Sequence, residues 1–268
     1  MYEIQPPVIF RVACADKRVY HGIVKKMAGP ISRVLTIFSR PERHPNEPAG
    51  EEGSFSAERE RMVRDQLMSP AYHVTDPRVL AAMSEVPRHR FVPADIRHRA
   101  YEDCALPIGH GQTISQPFIV AFMTVQLDPQ PTDRVLEIGA GSGYQAAVLA
   151  KLVKEVYTIE IVGDLAQRAG SELRQLGYTN VQVRSGDGYQ GWPEAAPFDA
   201  IIVACAPQQV PQPLVEQLKP GGRMIIPIGP EWDQTLVLLH KEGERLVERA
   251  TLPVRFVPMT GRALERSG

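Results

Sequence analysis

Three alternating glycines, Gly139, Gly141 and Gly143, lie between two carboxylates, with Glu137 just before them and Glu160 about 20 residues further on. These residue types in this order suit ligand binding through the main chain. A glycine lets backbone approach a ligand where a Cβ would clash, and a helix opening near Gly143 aims free N–H groups and its positive dipole end at the same spot. The acid at Glu160 is placed to accept hydrogen bonds from both hydroxyls of a ribose. The spacing argues against two common ligands. The dinucleotide fingerprint wants a third glycine where Tyr144 stands, and a triphosphate loop wants a lysine followed by Ser or Thr, which this turn lacks. A GxGxG turn with an acid on either side fits an adenosyl ligand without phosphates, which describes S-adenosylmethionine. The bland alternative is a glycine turn that only joins a strand to a helix.

Two other stretches carry groups capable of chemistry. In Leu106–Val120, LPIGHGQTISQPFIV, Gly109 and Gly111 allow a tight approach and Thr113 and Ser115 offer hydroxyls. Ser115 also stands where it can cap a helix carrying Phe118, Ile119, Phe122, Met123 and Leu127, and on spacing alone it reads as that cap. His110 suggests a general base, but no partner carboxylate is evident and a surface position is the plainer reading. Asp187 sits between Gly186 and Gly188 directly after a strand, at the sheet edge where ligands bind in open α/β folds.

These groups need a scaffold to position them. Arg134–Ile138 is a short apolar run with no room for a helix before the glycines, Tyr144–Val153 has a helical pattern of Ala, Val and Leu, and Val156–Ile159 gives a parallel strand ending in Glu160. Gly163–Leu176 follows as an amphipathic helix and Val181–Val183 as a strand. Phe198–Ala204 is nearly continuously apolar, as a central parallel strand buried on both faces should be. Pro211–Leu218 is a helix that Pro220, Gly221 and Gly222 terminate, and Met224–Ile228 is the next strand. Thr235–Val257 holds two alternating runs around Gly243, so the sheet ends in antiparallel strands. The expected class is α/β, a Rossmann-like, doubly wound and mostly parallel sheet. Upstream, Met62, Val63, Leu67 and Met68 share one stripe of a helix beginning at Ser56. A second helix has Asp76 as cap, Pro77 in its first turn, Leu80, Met83 and Val86 on its face, and Pro87 as stop. The two pack as a small helical cap beside the sheet.

At 268 residues and 43% hydrophobic composition, the chain can bury one large core with a small accessory part. Thirty basic and 31 acidic side chains leave a net charge of −1, which gives no sign of a general nucleic-acid or membrane binder. No apolar run reaches the roughly 18 residues that a membrane span requires. Cys14, Cys104 and Cys205 are dispersed and lack CxxC spacing, so neither a disulfide framework nor a zinc site is indicated and the cytoplasm is the simplest location. Residues 1–55 differ from the rest. Val8–Arg43 holds Arg11, Lys17, Arg18, Lys25, Lys26, Arg33, Arg40 and Arg43 against Asp16 and Glu42, and Arg40–Gly53 turns into a polar linker rich in Pro, Glu and Gly. The basic part reads as a disordered extension, as a targeting or anion-binding segment, or as the product of a start codon placed too early, with Met27 or Met62 as later starts. The folded domain is expected over 56–268.

Four blocks stand in order: VLEIGAGSGYQAA, YTIE, GDGYQGWPEAAPFDAIIVACA and LKPGGRMIIPIG. This pattern resembles the class I S-adenosylmethionine-dependent methyltransferases. The upstream ALPIGHGQTISQPFIVAFM and downstream RFVPMTG narrow the resemblance to the protein-L-isoaspartate O-methyltransferase family, over about Ser56 to Gly261. The resemblance implies S-adenosylmethionine as cofactor and methyl transfer to the free α-carboxylate of L-isoaspartyl residues in damaged proteins and peptides. The ester would close to a succinimide and reopen as aspartate. The resemblance replaces the cap reading of Ser115 with orientation of the reacting carboxylate, aided by backbone N–H groups of Thr113, Ile114 and Gln116, so that 56–115 holds the cap and the acceptor-site loop. It puts Gly139, Gly141 and Ser142 at the methionine end of the cofactor, Glu137 at its ammonium, Glu160 at the ribose, and Asp187 with Gly188 at the adenine edge. Thr260 falls where some relatives reach the cofactor. No metal is implied, and the partners expected are isoaspartyl proteins met by a monomer. One alternative is a methyltransferase of this fold with another protein or small-molecule acceptor, which the TISQP block distinguishes. Another is a non-catalytic binder of damaged peptides, which the intact cradle with Glu160 and Asp187 argues against.

Overall fold

The computed structural model describes residues 49–265, so the basic segment Val8–Arg43 lies outside the described residues. The chain opens with helix α1 (Ala49–Arg61), which runs on as a π-helical turn over Met62–Leu67. The linker read over Arg40–Gly53 therefore gives way to helix at Ala49, ahead of Ser56. Ala, Glu and Ser are adequate helix formers there, and the two glycines, Gly50 and Gly53, fall in its first turns. Met62, Val63 and Leu67 are buried as expected, but Met68 is 49% exposed. The wider turn, closed by Met68 N–H donating to Val63 O, rotates Met68 off the stripe.

Helix α2 (Pro77–Glu85) begins as its sequence signals, with the Asp76 carboxylate accepting from Arg78 N and Val79 N. Two 3₁₀ turns, Arg88–Phe91 and Ala94–Arg99, lead to a small antiparallel hairpin of β1 (Leu106–Gly109) and β2 (Gln112–Ile114). Helix α3 (Pro117–Leu127) follows and is buried on nearly every side.

The main sheet then unfolds as β3 (Arg134–Ile138), α4 (Tyr144–Ala150), β4 (Glu155–Glu160), α5 (Gly163–Gln175), β5 (Val181–Ser185) and β6 (Phe198–Val203). Helix α6 (Gln212–Gln217), β7 (Leu218–Ile228), β8 (Gln234–Glu242), β9 (Arg245–Val254) and a last helical turn, α7 (Arg262–Glu265), complete it. The strand order is β5-β4-β3-β6-β7-β8-β9, parallel from β5 to β7 and antiparallel through β8 and β9. This is the expected doubly wound α/β sheet with antiparallel C-terminal strands.

Because successive strand residues face opposite sides, the apolar runs feed two cores. Val135, Val156, Ala200 and Ile202 pack with the cap, α3, α4 and α5, whereas Leu136, Ile138, Ile201 and Val203 pack with Phe198, Tyr189 and Leu214 of α6. Two boundaries depart from expectation. Helix α4 stops at Ala150, short of Val153. Pro220, Gly221 and Gly222 lie within β7, where pairing skips from Phe198–Leu218 to Ala200–Arg223, so they break strand register and the helix has already ended at Gln217. The sheet's order reverses between β3 and β6, and the carboxyl ends of those strands open onto a crevice.

Candidate active site

The crevice is walled on one side by the glycine turn. Gly139 and Gly141 hold φ of +89° and +52°, a left-handed backbone that residues with a Cβ seldom adopt, and Gly139 N and Ala140 N donate to Ile159 O at 2.8 and 3.0 Å. The turn thus folds back across the end of β4. Glu160 locks it there: one carboxylate oxygen accepts from Gly141 N at 2.7 Å and the other from Val162 N at 3.0 Å. Each oxygen keeps a lone pair, and Glu160 lines the cavity.

Glu137 also lines it, yet is fully buried, and neither of its oxygens has a hydrogen-bond partner among the described residues. Burial pushes its carboxyl up to about 8, with the neighbouring Thr158 hydroxyl pulling the other way and the negative charge of Glu160 adding to the rise. An unpaired acid facing a cavity fits a cationic group arriving there, such as the ammonium of a methionine moiety. The glycine turn and the two acids therefore suit the expected cofactor. Ser142 is on the same wall, its hydroxyl accepting from Tyr144 N at 3.4 Å, and so is Thr260.

Tyr144, in place of a third glycine, is buried beneath the cap. The Arg88 guanidinium lies 4.8 Å from its ring centroid, Phe91 meets the ring edge-on at 5.7 Å, and the Met83 sulfur is 3.7 Å from its hydroxyl. Packing against the cap is thus what occupies the position that separates this turn from the dinucleotide fingerprint. Gly188 closes the far end, where a Cβ would come within 2.4 Å of Ile138 Cγ2. Asp187, expected at the adenine edge, does not line the cavity. Its carboxylate accepts from Tyr189 N and Arg262 N, both at 2.9 Å, and so ties β5 to α7.

On the opposite wall stand Thr113, Ile114 and Ser115. The helix cap is Gln116, with no side-chain capping bond, so Ser115 does not take the role that spacing gave it. Its hydroxyl makes no hydrogen bond among the described residues, whereas its carbonyl accepts from Arg88 Nη2 at 2.7 Å. Gln116 borders an adjoining cavity that shares Thr113, Ser115, Ala204, Val257 and Pro258 with the first. Its side-chain amide turns inward and donates to the Asp103 carboxylate at 3.0 Å and to the Tyr72 hydroxyl at 3.2 Å. His110 does have a carboxylate nearby, Asp164 at 3.5 Å, but the pair is half exposed and outside the cavity wall.

Three contributors escaped the sequence reading. Arg88 is not singled out there, Ile108 stands only within the ALPIGHG block, and Val257–Met259 only within the RFVPMTG block that narrows the resemblance. Among the described residues no cluster of His, Cys, Asp or Glu is placed to hold a metal, and no helix is long and apolar enough to cross a membrane.

The sequence model of the protein-L-isoaspartate(D-aspartate) O-methyltransferase family matches residues 58–264. The chain belongs to that family. A protein-L-isoaspartate O-methyltransferase of Synechococcus is 52% identical over 226 residues, which are 82% of this chain and 91% of the relative. A solved protein-L-isoaspartate O-methyltransferase superposes with a TM-score of 0.71 at 33% identity, covering 78% of this chain and 68% of that one. A Plasmodium falciparum structure of the same family description, in complex with S-adenosyl-L-homocysteine, gives 0.66 at 25% identity and covers 77% and 98%. The protein is thus an O-methyltransferase of the isoaspartyl family on the class I methyltransferase fold.

Proposed function

We propose that this O-methyltransferase carries the methyl group of S-adenosylmethionine to the free α-carboxylate of L-isoaspartyl residues and so starts their repair, with the glycine turn as donor site and the Ser115 loop as acceptor site. The observation that carries the reading is one cavity lined both by the buried Glu137 carboxyl, which has no hydrogen-bond partner among the described residues, and by the half-buried Ser115, whose hydroxyl makes none there. The donor supplies an electrophilic methyl on a sulfonium. An acceptor carboxylate with a pKa near ~4 is already ionised at neutral pH, so no side chain is needed as a base. What the chain contributes is alignment at about 3 Å and exclusion of water.

Ser115 and the backbone N–H groups of Thr113–Gln116 orient the acceptor carboxylate. Glu137, ionised, holds the donor's ammonium, Gly139, Gly141 and Ser142 flank its methionine portion, and Glu160 meets its ribose. Gly188 and Thr260 border the adenine side, and Asp187 acts there through the main chain it fixes. Damaged proteins and peptides are the partners. A monomer in the cytoplasm, acting without nucleic acid, membrane or metal, accords with the balanced charge and dispersed cysteines. The experiment is radiolabelled methyl transfer to an isoaspartyl peptide beside its normal aspartyl twin. Label in the isoaspartyl peptide alone supports the reading, whereas equal or absent labelling sinks it.

A further inference from the structure

We propose that Arg88 is a positioning residue of the acceptor site, fixing the Ser115 peptide group, and through it the direction of the Ser115 hydroxyl, from inside the helical cap. The inference rests on the reading of Ser115 given above. A serine at a helix start is ordinarily oriented by its own capping bond. Here Gln116 is the cap and the Ser115 hydroxyl has no partner among the described residues, so the main chain, which aims its Cα–Cβ bond, sets where the rotamers of the hydroxyl can reach. On one side Ile114 is paired with Leu106 in the hairpin, and at Ser115 itself the carbonyl is held by a fork: Arg88 Nη2 donates to Ser115 O and Nε to Ala100 O, each at 2.7 Å. The Asp103–Tyr72–Gln116 contacts pin the next residue and fix the helix start, leaving Ser115 itself to Arg88.

Stability alone does not account for this side chain. Arg88 is fully buried, no carboxylate lies within ion-pair distance of it among the described residues, and its Nη1 has no hydrogen-bond partner. An apolar residue of similar volume would leave two carbonyls without their donor, which is costly, yet it would also remove an uncompensated buried charge, so a buried cation with an unmet donor points to a task beyond packing. The guanidinium also rests on the ring of Tyr144, which follows the glycine turn, so the same side chain touches both halves of the site. Lysine is an imperfect replacement, because its single ammonium cannot place donors at the separated Nε and Nη2 positions of the planar guanidinium, nor lie flat on the Tyr144 ring.

The test compares wild type, Arg88→Met, Arg88→Lys, Ser115→Ala and the double variant Arg88→Met with Ser115→Ala. It reads melting temperature, S-adenosylhomocysteine affinity, and kcat and KM on an isoaspartyl peptide. Arg88→Met should melt a few degrees lower, for the two carbonyls left without a donor, yet bind S-adenosylhomocysteine within about three-fold of wild type while kcat falls about ten-fold or more, and Arg88→Lys should restore only a minor part of that loss. On the Ser115→Ala background the same substitution should cost little further, because both changes remove one alignment. Additive losses, or a kcat within about two-fold of wild type in a folded Arg88→Met, overturn the proposal, as does a parallel fall of melting temperature, affinity and turnover. If Arg88→Met does not fold, Arg88→Lys decides: full turnover overturns the idea, and a loss of turnover with cofactor affinity intact supports it. Absence of methyl transfer by wild type would instead fail the functional reading on which the inference stands.

Discussion

A buried acid with no partner reveals itself through protons. In the free protein Glu137 titrates near 8 instead of 4.5, so between those values the folded chain keeps a proton that the unfolded chain has lost. Stability should therefore fall as pH rises through that window, and Glu137→Gln should flatten the slope. An arriving ammonium favours the ionised form, so binding of S-adenosylmethionine near neutral pH should release a proton. Calorimetry in buffers of different ionisation enthalpy measures this, and equal release by Glu137→Gln would remove Glu137 from the ammonium site. Glu160→Ala should weaken cofactor binding by about 1.5–3 kcal/mol, the loss typical of charge-assisted hydrogen bonds; unchanged affinity in the same instrument would exclude it. Ser115→Ala should lower kcat with cofactor affinity nearly intact, and the pH–rate profile should have no limb near ~6.5 that His110→Ala abolishes. At this scale the sequence disclosed the glycines, both cavity acids and Ser115, because they lie in contiguous blocks. It did not disclose the bonds of Arg88 or those of the Asp187 carboxylate to α7, since their partners, Ala100, Ser115 and Arg262, are brought to them only by folding.

Elements rather than residues give the cavity its roof. The β1–β2 hairpin lies over the glycine turn, with Ile108 Cδ1 3.4 Å from where a Gly141 Cβ would sit, and Arg168 of α5 donates to Ile108 O at 3.2 Å. At the other end the chain leaving β5 presses so closely on β3 that Gly188→Ala must displace Ile138. Overpacking of this kind costs about 1–3 kcal/mol, so this variant should melt earlier and bind S-adenosylhomocysteine more weakly. A wild-type melting curve would show that the strand end has room to yield. Strand and helix types were legible as apolar runs and periodic stripes. Their ends were less so. The stop of α4 at Ala150 and the register break at Pro220–Gly222 depend on what neighbouring strands pair with, which no local pattern encodes.

Over the whole molecule, the family match begins at residue 58, but the packing reaches further back. Phe55, ahead of the match, stacks on His89 with centroids 4.2 Å apart, and just inside it the buried Arg59 donates to Ser84 O at 2.6 Å. A chain shortened to begin at Ser54 should fold and keep its transfer rate, and insolubility or inactivity would refute this. One beginning at Met62 loses both contacts and should be less stable by roughly 1–3 kcal/mol, read from denaturant midpoints. The α/β order was legible because each strand is a local run, whereas the path of the chain after β9 was not. There Ala206 N donates to Val257 O and Met259 N to Ala206 O, both at 2.8 Å, so Val257–Thr260 bends back to become cavity wall. A nascent chain still short of these residues already has its glycine turn and Ser115 loop but only an open trough between them. The cavity closes only when these residues arrive, so a chain cut before Val257 lacks one wall of the chamber in which to react.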